Sequence, residues 1–245
     1  MNLLIDSGNS MIKWALANGD LLYRVNKCES NSVAGLHDIW NRYDVPDRVI
    51  IANVAGENIA KQINITVNKL WHIDAEFIAS SRNCCGLTSS YHNPGQLGVD
   101  RWMAMAAAFQ STLDPVIVVD CGTAVTIDLV NEDGVFVGGV ILPGLNTAYQ
   151  SLRTGTVAGE EINSIENDIS PVAQSTEDGV AMGVLLGLVG GIERVIRDQS
   201  SQLDTFPALY ITGGDAEQLL PYLTIPAIIQ PDLVLEGLGI FSDEQ

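Results

Sequence analysis

The feature that most constrains this chain is a repeat. The apolar run Leu3-Leu4-Ile5 ends in Asp6-Ser7-Gly8-Asn9 and is followed by a second apolar segment, Met11 to Leu16. Val116-Ile117-Val118-Val119 ends in Asp120-Cys121-Gly122-Thr123 and is followed by Val125 to Val130, so the two aspartates are 114 residues apart. A carboxylate at a strand tip, followed by Gly and a short polar residue, makes a tight turn whose backbone N–H groups suit an anion while the carboxylate suits a cation. One such turn is an ordinary hairpin. Two strand-flanked copies predict two similar lobes.

Each lobe opens with three antiparallel strands, the first through Asn18-Gly19-Asp20 into Leu21-Leu22-Tyr23 and the second through Asp133-Gly134 into Val135 to Leu142. The rest of the first lobe reads as a helix over 33–43, a strand over 48–52, a helix over 58–70, a strand over 76–78, a loop over 84–98 and an Ala-rich helix over 100–109. The second continues with helices over 146–153 and 176–197, a strand over 208–212, a helix over 216–222 and a terminal stretch from Leu233. The expected fold class is α/β, mixed sheets flanked by helices, with lobes 1–114 and 115–245.

Composition narrows the function. Twelve Lys and Arg against 30 Asp and Glu give a formal net charge of −18, which repels phosphate backbones and anionic lipid, so neither nucleic acid nor membrane is expected as a partner. The N-terminus meets a carboxylate after three apolar residues and does not read as a signal peptide. The apolar run Val180 to Ile192 has 13 residues, short of the ~20 that span a bilayer. Cys28, Cys84, Cys85 and Cys121 lack paired metal-ligand spacing, so the expectation is reduced thiols in a cytoplasm, with no zinc site and no disulfide framework.

Several residues carry chemistry. Lys13, seven residues after Asp6, alternates to the strand face opposite Trp14, the face on which it can meet phosphates. Thr212-Gly213-Gly214-Asp215 closes a strand and opens a helix, where glycines let a flat group approach the backbone. In Tyr91 to Trp102, Gly98 precedes Asp100-Arg101 at a helix start. There the carboxylate suits proton abstraction from a hydroxyl, and the guanidinium suits bidentate binding of an anion. A surface helix cap is the plainer reading of that dipeptide alone. His37, His72 and His92 show no catalytic pairing and read as structural, although His92 adjoins Tyr91.

Taken in order, Asp6-Ser7-Gly8-Asn9-Ser10 with Lys13, Tyr91 with Gly98-Val99-Asp100-Arg101-Trp102, Asp120-Cys121-Gly122-Thr123-Ala124 and Gly138 to Gly144 resemble the motifs of type III pantothenate kinases along nearly the whole chain. That resemblance implies the acetate kinase, sugar kinase, Hsp70 and actin superfamily: two ribonuclease H-like lobes with an ATP cleft between them. It implies phosphorylation of pantothenate by ATP, a homodimer, Mg²⁺ and a monovalent cation, K⁺ or NH₄⁺. By the same resemblance Asp100 is the general base, and Tyr91, Gly98, Val99, Arg101 and Thr176 bind pantothenate. Asp6, Ser7, Gly8, Asn9, Ser10, Lys13 and Thr123 contact the ATP phosphates, with Gly213 and Gly214 at the adenosine. Asp120 is the K⁺ ligand and Asp6 the Mg²⁺ ligand. The chain departs from the family with Ser175-Thr176 for Asn-Thr and Ser10 for Thr. A regulatory accessory factor of the same fold, or another small-molecule kinase of the superfamily, stands as the alternative.

Overall fold

Leu3, Leu4 and Ile5 are all fully buried, so the first strand, β1 (Asn2–Ser7), is covered on both faces. A computed structural model describes residues 1–19, 21–155 and 172–244; Asp20 of the expected Asn18-Gly19-Asp20 turn lies outside them. The chain divides into two compact units, Met1–Val116 with Val130–Gly138 and Asp232–Gln245, and Ile117–Leu129 with Gly139–Pro231. The first unit takes in residues 130–138 and 232–245, which a boundary at 114 gives to the second lobe.

In the first unit β1 pairs antiparallel with β2 (Met11–Asn18) and parallel with β4 (Val49–Asn53). With β3 (Leu21–Glu29) and β5 (Glu76–Ile78) the sheet order is β3-β2-β1-β4-β5. Side chains alternate across it. Leu3, Ile5, Trp14 and Ile51 join Leu36 and Trp40 of α1 (Leu36–Trp40) and Ile63 and Val67 of α2 (Glu57–Trp71) in one core. Here Trp14 meets Trp40 edge-on at 5.9 Å between ring centroids. On the other face lies α7 (Leu233–Asp243), packed against β1 and against α3 (Val99–Thr112).

In the second sheet β8 (Val116–Cys121) and β9 (Ala124–Val130) lead into β10 (Val135–Pro143), and with β11 (Ala208–Thr212) and β12 (Ile228–Ile229) they form the five-strand stretch β12-β11-β8-β9-β10 of a seven-stranded sheet. Position for position this is the order of the first sheet, so the sequence repeat is a repeat of topology. The turns differ in length: Gly8-Asn9-Ser10 links β1 to β2, whereas Gly122-Thr123 alone links β8 to β9. Leu185, Ile192 and Ile196 of α5 (Thr176–Ser200) are fully buried against Ile117, Ile127 and Ile211.

Three local expectations need correction. The helix over 33–43 is a 3-10 segment, Ser30–Gly35, with Ser32 non-helical at φ −100°, ψ 17°, followed by the short α1 that ends at Trp40. The loop over 84–98 holds two short strands, β6 (Asn83–Cys84) and β7 (Leu87–Ser89); β7 pairs with the start of β10. Helix α5 is 25 residues long and, by length and composition alone, apolar enough to cross a membrane. The 13-residue run did not anticipate this, because the helix extends through polar turns at both ends. Its apolar face is spent on the core of the second unit.

The α3–α7 contact sets a packing limit. A Cβ on Gly237 would lie 2.0 Å from the Met103 carbonyl oxygen, a backbone atom that cannot swing aside. Gly237→Ala gains helix propensity of ~1 kcal/mol but overpacks the contact, and we expect a net loss of about 1–3 kcal/mol, measured by denaturant unfolding.

Candidate active site

In the first unit the residues from Tyr91 to Trp102 converge on one aromatic ring. The first residues of β10 pair with β7, placing Phe136 beside Ser89. Phe136 is fully buried, and its ring lies 5.1 Å from Tyr91 and 6.5 Å from Trp102, centroid to centroid. The Arg101 guanidinium stands 6.0 Å over the same ring, a cation–π arrangement that keeps a buried charge oriented. Sequence reasoning missed Phe136: it is one more apolar residue in a strand, 45 positions from Tyr91.

Asp100 is the second residue of α3, after the N-cap Gly98. Its Oδ1 accepts a hydrogen bond from the Arg101 backbone N–H at 2.8 Å. Two influences oppose each other here. Burial raises the Asp100 pKa above its ordinary value, while the Arg101 amide and charge pull it down; burial is the larger and the net shift is upward. A carboxyl pushed up by burial at the mouth of a helix is the pattern of a group tuned for proton transfer. Val99 and Leu97 are buried on either side of Gly98 and anchor the segment, and Asn93 Oδ1 accepts from the Gly95 N–H at 3.2 Å to shape the loop before it.

The Asp6 turn lies at the end of β1. The Gly8 N–H donates to the Met11 carbonyl at 3.0 Å, and Ser30 Oγ donates to the Gly8 carbonyl at 2.7 Å. Asn9 and Ser10 are exposed at the tip. Ser7 is fully buried, and its Oγ has no hydrogen-bond partner among the described residues. Lys13 lies directly across from Asp6 in the β1–β2 register, on the face opposite Trp14, with its Nζ 3.8 Å from Asp232 Oδ1 at the start of α7. The sequence reading missed Asp232, which is distant in sequence and becomes a neighbour only through α7.

In the second unit Asp120 is the penultimate residue of β8 and half-buried. The Gly122 N–H donates to the Ala124 carbonyl at 3.1 Å. The Thr123 carbonyl accepts from the Gly144 N–H at 3.1 Å and from Thr147 Oγ1 at 2.7 Å, fixing the turn against the start of α4 (Leu145–Gly155). Gly213, at φ +94°, lies against this turn so closely that a Cβ would be 2.4 Å from the Cys121 carbonyl oxygen and 2.5 Å from Asp120 Oδ1. The Asp215 N–H donates to that carbonyl at 2.9 Å, and burial raises the Asp215 pKa. Gly213, Gly214 and the Asp120 turn are therefore neighbours. Thr176 is exposed at the first turn of α5, whose N-cap Ser175 accepts from the Asp178 N–H at 3.1 Å. His37 lies on the surface beside Asp38, and His72 caps α2 at φ +58°.

Solved structures share this fold. A conserved Campylobacter jejuni protein assigned to the Baf family of transcriptional activators aligns with TM-score 0.62 at 24% identity, covering 99% of this chain and 98% of its own. A glucokinase from an Antarctic psychrotroph aligns at 0.52 and 11% identity, covering 99% and 98%. At such identities the likeness establishes the fold alone. The family model for type III pantothenate kinase matches residues 2–198. The type III pantothenate kinase of Nitrosomonas eutropha is 38% identical over 246 residues, 98% of this chain and 93% of its own. That of Chromobacterium violaceum is 35% identical over 241 residues, covering 97% and 98%. The chain belongs to the type III pantothenate kinase family and is a kinase.

The geometry around Asp100 makes one consequence testable. A Cβ on Gly98 would lie 2.5 Å from Asp100 Oδ1, the far end of a side chain that can rotate away. Gly98→Ala should therefore cost less than about 1 kcal/mol of stability while moving the carboxylate. Thermal unfolding should change little and turnover should fall by more than about tenfold; unchanged turnover would remove Asp100's position from the list of requirements.

Proposed function

We propose that this kinase transfers the γ-phosphoryl group of ATP to the terminal hydroxyl of pantothenate, giving 4′-phosphopantothenate and ADP, the first step of coenzyme A synthesis. The observation that carries the reading is the buried Asp100 carboxylate beside Tyr91, Arg101 and Phe136, in a chain of this family. The pantothenate oxygen forms the new P–O bond as the bond between the γ-phosphorus and the β,γ-bridging oxygen breaks. The hydroxyl proton goes to Asp100, whose Oδ1 is held by the Arg101 amide. Arg101 binds the pantothenate carboxylate, with Tyr91, Gly98 and Val99 completing the pocket and Thr176 contacting the substrate from the start of α5. Phosphoryl transfer asks mainly for positioning and charge neutralisation.

Nucleotide binding falls to the backbone of Asp6 to Ser10, to Lys13 and to Thr123, with Gly213 and Gly214 at the adenosine. The structure with Clostridium difficile dehydratase activator and bound ADPNP, TM-score 0.56 at 10% identity, covers 99% of this chain and 94% of its own and supports a nucleotide in this fold. The donors at the two strand ends are oxygens, which suits hard cations, and the orphaned Ser7 Oγ adds a buried polar atom beside Asp6. Asp6 would hold Mg²⁺ and Asp120 would hold K⁺ or NH₄⁺. Bound there, such cations neutralise phosphate charge. We place the enzyme in the cytoplasm, where its free thiols stay reduced.

Replacing Asp100 by Asn should lower pantothenate-dependent ADP release by about 10²–10⁴-fold with nucleotide binding retained; full turnover in that variant would refute the assigned base. The base acts only when ionised. Its raised pKa means that activity is lost as pH falls through a value above the ordinary carboxyl figure of about 3.9. The pH–rate profile of kcat/KM should show this acidic limb, and the limb should vanish in the residual activity of the Asn variant.

We also propose that the kinase is a homodimer that uses the exposed face of α5. Gly179, Gly183, Gly187 and Gly190 repeat along that face with Leu186 among them, and a Cβ on Gly183, Gly187 or Gly190 would meet nothing within 4 Å in its own chain. Gly187→Glu leaves the monomer unstrained and gains helix propensity. Sedimentation velocity should show a dimer for the native chain and a monomer for the variant; a dimer in both excludes this face.

A further inference from the structure

The hairpin β6–β7 ends in a turn that breaks a local rule. Cys84 pairs with Leu87, so Cys85 and Gly86 are the two turn residues, at φ +52° and +73°. A two-residue turn with both angles positive is the type I′ form, whose first position favours Asn, Asp or Gly. A Cys there adopts a left-handed conformation that disfavours a Cβ. The consequence of that conformation is a meeting of two thiols: Cys84 Sγ and Cys85 Sγ lie 3.2 Å apart.

A carboxylate completes the group. The Cys85 N–H donates to Glu244 Oε2 at 3.1 Å, drawing the side chain that follows α7 onto the turn. One donor atom from each of Cys84, Cys85 and Glu244 lies within 4.8 Å of the others. Cys85 is buried, Cys84 half-buried and Glu244 exposed, which leaves an approach from solvent. Behind the turn, Gln110 Nε2 donates to the Cys85 carbonyl at 3.1 Å, a support of the kind that orients metal ligands from outside. The negative end of the α7 dipole is also near.

We propose that Cys84, Cys85 and Glu244 form a binding site for one thiophilic divalent cation of the Zn²⁺ class, with water in the fourth position. Two thiolates and a carboxylate match Zn²⁺ or Cd²⁺ and not Mg²⁺, which takes oxygen ligands. With Zn–S near 2.3 Å, tetrahedral geometry sets the sulfurs roughly 3.8 Å apart. Metal binding therefore requires the 3.2 Å sulfur spacing to open to that value. The cysteine spacing gave no hint of this site because its third donor is 159 positions from Cys85; the expectation of no zinc site is revised on the geometry.

The full-length chain, reduced with a phosphine and freed of metal, is titrated with Zn²⁺ in competition with a chromophoric chelator, and with Cd²⁺ while the thiolate-to-metal charge-transfer band is followed. One equivalent should bind with that band present. Cys84→Ser and Cys85→Ser should each weaken binding by more than the ~10–100-fold that loss of an outer-shell partner costs, and Cys28→Ser should leave it unchanged. Because Cys85 is buried, Glu244→Gln at an exposed carboxylate is the second variant, and it should weaken binding at least tenfold with the far-ultraviolet circular dichroism preserved. Absence of binding overturns the proposal. So does binding that persists in the Cys84→Ser/Cys85→Ser double variant or is untouched by Glu244→Gln, and so does oxidation of the reduced pair to a disulfide while Zn²⁺ is present.

Discussion

The first strand of each repeat, β1 and β8, has no wet face. Leu3 to Ile5 in β1 and Val116 to Val119 in β8 are buried almost without exposure, and a charged side chain within such a run would carry an uncompensated desolvation cost. A carboxylate is tolerated only where the cover runs out, which in both strands is the penultimate residue, Asp6 or Asp120. The position of the polar machinery is thus a by-product of core burial. Strand ends at the edge of a buried sheet are where open α/β folds carry their ligand sites.

The same antagonism between burial and charge recurs at Asp100, with a different outcome. There the helix N-terminus and the Arg101 amide favour the ionised carboxylate, and burial disfavours it and prevails. Arg101 itself is nearly buried and is held over Phe136, so a carboxylate and a guanidinium sit side by side on one short segment under different constraints. Tyr91 and Trp102 rest on the same ring. One phenyl group from β10 therefore sets the attitude of residues from both ends of the Tyr91–Trp102 segment.

Much of this was legible in the sequence, and the failures have a common cause. The Asp-x-Gly repeat fixes strand, turn and strand by local chemistry, and the strands at 76–78 and 208–212 stand where hydrophobic runs bounded by polar residues put them. Asp100 and Arg101 were singled out by the ordered motifs of the family resemblance, since the dipeptide alone reads as a helix cap. Phe136, Asp232 and Glu244 were not, since each matters only through a contact across tens to hundreds of residues. The hairpin within 84–98 was hidden for another reason: Cys85 occupies a turn position that residue preference assigns to Asn or Gly.

The α3–α7 contact also bears on the order in which the polypeptide is made. Helix α3, which carries Asp100, is complete by residue 112, yet the helix that covers it spans Leu233–Asp243, and the whole of the second unit is synthesised in between. During translation, at about 5–20 residues per second, the Met103 backbone and the β1 face wait uncovered for several seconds while Ile117 to Pro231 are added. Helix α3 is among the first parts written and among the last to be closed, so the nascent chain is the state in which its Ala-rich face stands open.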